Sequence, residues 1–544
     1  MMMMYMMTLF SISCMIMSII MMYYNTFIYI SIPMLKFISI NIPISMMLDW
    51  ISILFLSTVT MISSMILLYS IYYIPTNNHK QFSMMLIMFI MSMSILILSN
   101  NLFLMLLGWD MLGMSSYILV VFYQDHSSSS SGSITLLSNR IGDIFILLSI
   151  GVLMYQSMWE LNMNEKFNVL TILMLMLASC TKSAQFPFSA WLPMAMSAPT
   201  PISALVHSST LVTAGIFLMI RISSNIHPFT LLLLMMISSF TAIYSSLSAN
   251  WQQDMKKIIA LSTLSQMAMM MFSISIMSPM LAYFHMIIHA YFKSLMFMCA
   301  GILIHESSYQ DMRMMSMNFN IPLIMSTMGI TNMALMALPF TSGFFSKDVI
   351  IEKMISSKLE CLLTLMMISS IGMTAMYSLR MMNMSNKMMM KPKSNLTNHT
   401  NVISNIPILM LTPMSISLGS SMLWMMNPEQ MLFMPNSYKK IILMTLIVGM
   451  LMGALLSFKS FKFKLMGQSS NNMWFIHLMS TKIMLMSSPF MKMSMKNDKT
   501  WQEMYGPKKM FILSKKSSFI PEISKTSLLM IIIMISITPF ILLN

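Results

Sequence analysis

Residues 171–197 read TILMLMLASCTKSAQFPFSAWLPMAMS. An apolar run fit to enter a membrane arrives at Lys182, and Pro187 and Pro193 follow it closely. Proline removes a backbone donor and breaks a helix. A break at membrane depth is tolerated only where protein or water satisfies the freed groups. The combination recurs at residues 339–348, PFTSGFFSKD, where Pro339 and Gly343 precede Lys347. Paired interrupted spans in the two halves of a chain point to a transport site at the bilayer midplane. The expected fold is therefore an all-α polytopic membrane protein with two broken helices.

Composition agrees. Of 544 residues, 57% are hydrophobic and 9% charged, and the mean hydropathy is +0.75. A hydrocarbon core of about 30 Å needs about 20 apolar residues per crossing, and the chain supplies about fifteen such stretches from residue 8 to residue 543. Between the first two, Phe27 to Met46 alternates apolar and polar residues around Pro33 and Pro43, as a hairpin on the membrane surface would. Ser127 to Ser131 with Gly132 reads as a flexible polar loop. Residues 482–525 hold nine lysines against Asp498, Glu503 and Glu522, interleaved with apolar residues. That pattern suits an amphipathic helix lying along a membrane, kinked at Gly506 and Pro507.

Cys14, Cys180, Cys299 and Cys361 stand singly, so neither a disulfide framework nor a metal site is expected. The 84 methionines, with abundant Ser and Asn, look like codon usage in an AT-rich animal mitochondrial genome. Met1 to Ile32 contains no Lys or Arg, so no cleaved leader is expected there. The net charge of +15 is spread over connections and the carboxy-terminal region. It points to anionic lipid head groups, cardiolipin among them, and not to nucleic acid. There is no GxGxxG, no Walker-type loop and no cysteine cluster. Redox chemistry within this chain is therefore not expected.

The chemistry lies in ionisable residues inside apolar spans: Asp110, Lys182, Lys293 and Lys347. Such charges cost roughly 2.5 to 3.5 kcal/mol at the bilayer centre and mark ion or proton paths. His285, His289 and Lys293 recur every four residues and share one helix face. At 1.5 Å per residue they form a polar stripe about 12 Å long. Burial can bring a lysine amine from about 10.4 to near neutrality, and Asp110 is the expected charge partner of Lys182. His207, bracketed by Ser208, Ser209 and Thr210, has hydroxyls around it to hold water. Lys347 with Asp348 reads equally as a relay residue or as a helix-start cap near an interface. Asp143, after Asn139 and Arg140, and the group Asp254, Lys256 and Lys257 are expected near span starts as structural pairs or subunit contacts. The bland alternatives are histidines satisfied by backbone and a static Asp110–Lys182 pair.

Six segments in order, GWDMLGMSSYILV from Gly108, SNRIGD from Ser138, TKSAQFPFSAWLPMAMSAPTPISALVHSSTLVTAGIF from Thr181, DMKKIIALSTLSQM from Asp254, HMIIHAYFKSLMFMCAGILIH from His285 and PFTSGFFSKD from Pro339, resemble the chain 5 family of NADH-ubiquinone oxidoreductase, the antiporter-like membrane subunits of respiratory complex I. The resemblance implies two inverted five-helix repeats, over 83–221 and 228–383, preceded by N-terminal helices and the hairpin (1–82). They would be followed by further spans (403–458), the lateral helix (482–525) and a final anchor (526–544). It implies a proton relay in which Asp110 and Lys182 load and His207 bridges. His285, His289 and Lys293 would follow, with Lys347 near the exit and Asp143, Asp348, Lys256 and Lys257 in support. It also implies FMN, iron–sulfur clusters and ubiquinone in partner subunits, other membrane and accessory subunits of complex I as partners, and the mitochondrial inner membrane as location. Family members often carry Glu where Asp110 stands, so this acid is one methylene shorter and a bridging water is expected. One span precedes the hairpin where the family commonly has two. A cation/proton antiporter subunit and a non-pumping membrane scaffold are the competing readings.

Overall fold

A computed structural model describes residues 2–37, 40–154, 159–161, 167–315, 322–356, 361–385, 402–426, 436–458, 464–471, 476–517, 530 and 532–533. The chain forms two units, Met1–Trp474 and Phe475–Asn544. The first opens with α1 (Met2–Tyr24) and an antiparallel ribbon of β1 (Ile28–Phe37) and β2 (Ile40–Leu48). Pro33 lies opposite Pro43 in that ribbon, and its register shifts between Pro33 and Leu35. There follow α2 (Trp50–Tyr73), α3 (His79–Leu98), α4 (Leu102–Val120) and α5 (His126–Leu153). The first interrupted region comprises α6 (Val169–Lys182), α7 (Trp191–Met194), α8 (Thr200–Val206) and α9 (Leu211–Ile222). Next come α10 (Pro228–Trp251), α11 (Met255–Ser275), α12 (Pro279–Ser307) and the second interrupted pair, α13 (Pro322–Met336) and α14 (Ser342–Ser356). The unit continues with α15 (Cys361–Ser385), α16 (Val402–Met426), α17 (Asn436–Phe458) and the short α18 (Lys464–Asn471). In the second unit α19 (Ile476–Asn497), α20 (Glu503–Tyr505) and α21 (Pro507–Ser517) follow one another, parted by a wide turn at Asp498–Gln502 and by Gly506.

Among the described residues, eleven helical stretches are long and apolar enough to cross a membrane. The expected fifteen is not reached. The halves α6 and α13 of the interrupted spans are apolar but short, and the expected last span lies almost wholly outside the described residues. One further expectation changes. Ser127 to Ser131 is not a loop but the start of α5. Each of Ser128, Ser129, Ser130 and Ser131 donates its hydroxyl to the carbonyl three residues back, at 2.8 to 3.0 Å, so the side chains need no water. Gly132 lets α5 lie against α4, since a Cβ there would stand 2.5 Å from the Val121 side chain. The run expected as one span over 197–221 is one apolar stretch long enough to cross, Thr200–Asn225, interrupted between α8 and α9.

End contacts fix the direction of each helix. The ribbon marks one face. Ser45 accepts from the Asn100 amide there, Trp159 from Leu102, and Arg221 pairs with Asp49 at 2.6 Å. Tyr283, near the start of α12, donates to Ile51 at 2.7 Å. On the opposite face the Met255 amide bonds to Gln310, and Arg380, near the end of α15, donates to Asn250 and Gln252. It follows that α6 starts at the ribbon face, whereas α13 starts at the opposite face. The two broken helices run in opposite directions, the arrangement inverted repeats produce. The helices α9, α11 and α12 are buried over most of their length, α9 against α6, α11 against α10 and α12 among α2, α8, α13, α14 and α16.

Candidate functional site

The stripe on α12 is fully enclosed: His285, His289 and Lys293 have no exposed surface. The polar atoms of Lys293 and His285 find partners on two neighbouring helices, whereas the ring nitrogens of His289 have none among the described residues. Lys293 donates to the Ser262 hydroxyl on α11. One turn further along α11, Gln266 Oε1 lies 3.1 Å from His285 Nε2, while Ser346 Oγ on α14 lies 2.8 Å from His285 Nδ1. An amide oxygen only accepts, so a neutral His285 donates from Nε2 and accepts at Nδ1. His289 stands between them, its ring centroid 6.3 Å from that of His285 and edge-on to Phe292 at 5.3 Å. Lys293 is midway along α12 and His285 is nearer the ribbon face, so the stripe runs from the middle of the membrane towards that face.

Lys182 ends α6 and is also fully enclosed. Its Nζ donates to the Trp109 carbonyl at 3.3 Å and sits 5.1 Å from the indole centroid. Four residues on, Gly113 presents bare backbone, and a Cβ there would come within 3.6 Å of Nζ. Asp110 takes a different partner. Its carboxylate lies 3.4 Å from Arg140, which also pairs with Asp143 at 3.1 Å. Among the described residues no ion pair joins Asp110 to Lys182 directly. Asp143 is not near a span start, because α5 begins at His126 and places it well inside the helix. There Gly142 presses on Thr181, the neighbour of Lys182. Arg140, expected only in a structural pair with Asp143, is the member that joins the two acids. Its spacing of three from Asp143 was the available signal.

Lys347 lies in the second turn of α14 and is fully enclosed, so the helix-start reading near an interface does not describe it. Its Nζ donates to the Leu335 carbonyl in the last turn of α13. Lys256 does the same at the first break, donating to Ala198 at 3.2 Å. Arg380 serves the end of α10 in like manner. Lys256, Lys347 and Arg380 thus satisfy carbonyls left over where helices stop, as broken helices require. Lys257 differs from its neighbour: it pairs with Asp254 at 2.7 Å in a half-exposed position, a contact worth little. Asp348 is half-buried one turn before Glu352, which lies 3.6 Å from Lys439.

His207 caps α8 and opens a second interruption, His207–Thr210, that no proline or glycine announces. Hydroxyls stand in for the missing amides there. Ser208 donates to Ala204, Thr210 to Leu205 at 3.0 Å and Thr213 to Ser209 at 2.8 Å. The imidazole lies between Trp191 of α7 and Phe297 of α12, 6.3 Å from each centroid. Thr210→Val keeps the shape and removes one donor. It is expected to destabilise the chain by about 0.5 to 1.5 kcal/mol through the lost hydroxyl bond, since the Leu205 carbonyl keeps the Ser209 amide at 3.4 Å, read as a lower temperature of activity loss in the assembled protein.

Three family descriptions match the chain in order: "NADH-Ubiquinone oxidoreductase (complex I), chain 5 N-terminus" over residues 35–82, "NADH:quinone oxidoreductase/Mrp antiporter, TM" over 99–374 and "NADH dehydrogenase subunit 5 C-terminus" over 377–544. NADH-ubiquinone oxidoreductase chain 5 of Aedes aegypti is 41% identical over 469 residues, covering 81% of this chain and 80% of that one. The Anopheles gambiae protein of the same name is 38% identical over 529 residues, covering 92% and 90%. The chain belongs to the NADH-ubiquinone oxidoreductase chain 5 family. The fold is shared more widely: a chain in the structure of the Mrp complex from Dietzia sp. DQ12-45-1b superposes with a TM-score of 0.75 at 18% identity, covering 98% of this chain and 60% of that one. Among the described residues of this chain 5 member, no three His, Cys, Asp or Glu side chains gather as a metal site.

Proposed function

We propose that this chain carries protons across the mitochondrial inner membrane as the antiporter-like subunit of NADH-ubiquinone oxidoreductase, through a relay of its own side chains that starts at the partly exposed Asp110 and is otherwise buried. Asp110 and Asp143, held together by Arg140, and Lys182 load the first half. His207 bridges, Lys293, His289 and His285 pass the proton along α12, and Lys347 stands at the exit. The observation that carries this reading is a fully enclosed polar stripe on one helix, with Lys293 on Ser262 at one end, His285 between Gln266 and Ser346 at the other, and His289 between them, its ring centroid 6.3 Å from that of His285. Hydroxyls and imidazoles both donate and accept, so they can pass a proton without holding a net charge. Ser346 adjoins Lys347 in the chain, which links the stripe to the exit lysine.

The opposed directions of the two broken helices support repeats over 83–221 and 228–383. Electron transfer from NADH to ubiquinone takes place in partner subunits, where FMN and the iron–sulfur clusters sit, and reaches this chain as a conformational or electrostatic signal. Its neighbours are the other membrane and accessory subunits of the complex and the surrounding lipids. The reading predicts that, after gentle solubilisation and native electrophoresis, the chain migrates with NADH dehydrogenase activity. Migration apart from that activity overturns the assignment in favour of a free-standing antiporter.

A further inference from the structure

On the outer side of α15 and α17, away from the relay, a cleft of about 500 Å³ runs lengthwise between the two helices. Its floor is made by close backbone approach. Gly449 and Gly453 are spaced as a GxxxG pair, and a Cβ on Gly449 would stand 2.2 Å from the Gly372 carbonyl oxygen. Such pairs let membrane helices touch at the main chain, which leaves a furrow between the side chains that flank the seam. The walls are Met373, Met376, Met444, Val448 and Met452, and unbranched methionines conform to an irregular apolar partner. The two hydroxyls in the lining are already used: Ser369 donates to Met366 and Thr445 to Ile442, both at 2.8 Å. One charged residue, Lys440, closes the end at the ribbon face. Lys439 beside it faces Glu352 at 3.6 Å, whereas Lys440 has no ion-pair partner among the described residues.

We propose that this cleft binds one acyl chain of an anionic phospholipid, with the phosphate against Lys440. Three observations select that occupant. From Lys440 to Met452 the cleft is about 18 Å long at 1.5 Å per residue, enough for one leaflet and too short for a helix crossing a core of about 30 Å. Its volume suits a single small-molecule-sized group. Its charge sits at the membrane surface, where a head group lies, and is positive, as a phosphate requires. The site is independent of the proton relay, so either can fail alone.

The test uses the assembled complex in nanodiscs that carry either a phosphatidylglycerol or a phosphatidylcholine with a diazirine in the acyl chain. The expected result is labelling of Met444, Val448 and Met452, about five-fold stronger for phosphatidylglycerol, the ratio one surface lysine provides. Lys440→Gln is expected to remove that preference and leave some labelling. Val448→Trp fills the furrow and is expected to remove labelling with both lipids. Equal labelling by both lipids, labelling no denser than on the outer face of α1, or crosslinks from these residues to a helix of another subunit each overturn the proposal.

Discussion

Replacing Lys293 with Met, at the matching position of a bacterial counterpart that can be manipulated, is expected to lower proton translocation per NADH oxidised at least about ten-fold, since a positioned proton-transfer group contributes about 10² to 10⁴. The geometry explains why the effect is large. Lys293 is fully enclosed midway along α12 and has the Ser262 hydroxyl as its partner, so no solvent bypass is at hand. Lys293→Arg separates chemistry from packing. Arginine keeps the charge and the stem but does not give up its proton, so that variant is expected to assemble and still not pump. Normal pumping in a fully assembled Lys293→Met variant sinks the relay. Pumping restored by Arg shows that only a fixed charge is needed.

The second large effect is structural. Gly343→Ala places a Cβ 1.9 Å from the Ala334 carbonyl oxygen, and the obstacle is backbone in the last turn of α13 rather than a side chain that can turn away. Overpacking commonly costs about 1 to 3 kcal/mol, and a main-chain clash belongs at or above the top of that range. The expected outcome is loss of most of the assembled complex, measured as the amount of chain recovered in it and as its temperature of activity loss. Gly151→Ala is the control. Nothing lies within 4 Å of a Cβ there, and removing a helical glycine is worth up to about 1 kcal/mol. Similar losses for both variants contradict the packing described at the α13–α14 break.

Much of this is readable in the chain itself. The four-residue spacing of His285, His289 and Lys293 defines one helix face with no further information. Pro339 and Gly343 announce the α13–α14 interruption through their own backbone chemistry. The interruption at His207–Thr210 is hidden because serine and threonine hydroxyls serve as well inside a helix, as in α5, as at a gap, and only the surrounding helices decide which. The partner of Asp110 is hidden for another reason. Arg140 and Lys182 are both long cations within reach of α4, and the approach of Lys182 to the Trp109 carbonyl depends on the packing of α4, α5 and α6. The enclosure of Lys347 likewise follows from α12, α13 and α16 closing around α14, which no local pattern encodes. The helix count is blurred by the breaks after Lys182 and around Pro339, since they leave the apolar pieces Val169–Lys182 and Pro322–Met336 too short to be recognised by length.

The lysines seated on main-chain carbonyls have a bearing on how a charge could come and go. An ammonium group has three N–H donors, and the neutral amine keeps two of them and gains a lone pair. Lys182 on Trp109 and Lys347 on Leu335 can therefore stay anchored to the same oxygen in either protonation state, with the remaining positions of the nitrogen turned to whichever neighbour is next. A carboxylate partner would tighten and slacken with every proton. A carbonyl, whose dipole is fixed by the helix that owns it, behaves instead as a pivot, holding the nitrogen in place while its charge changes.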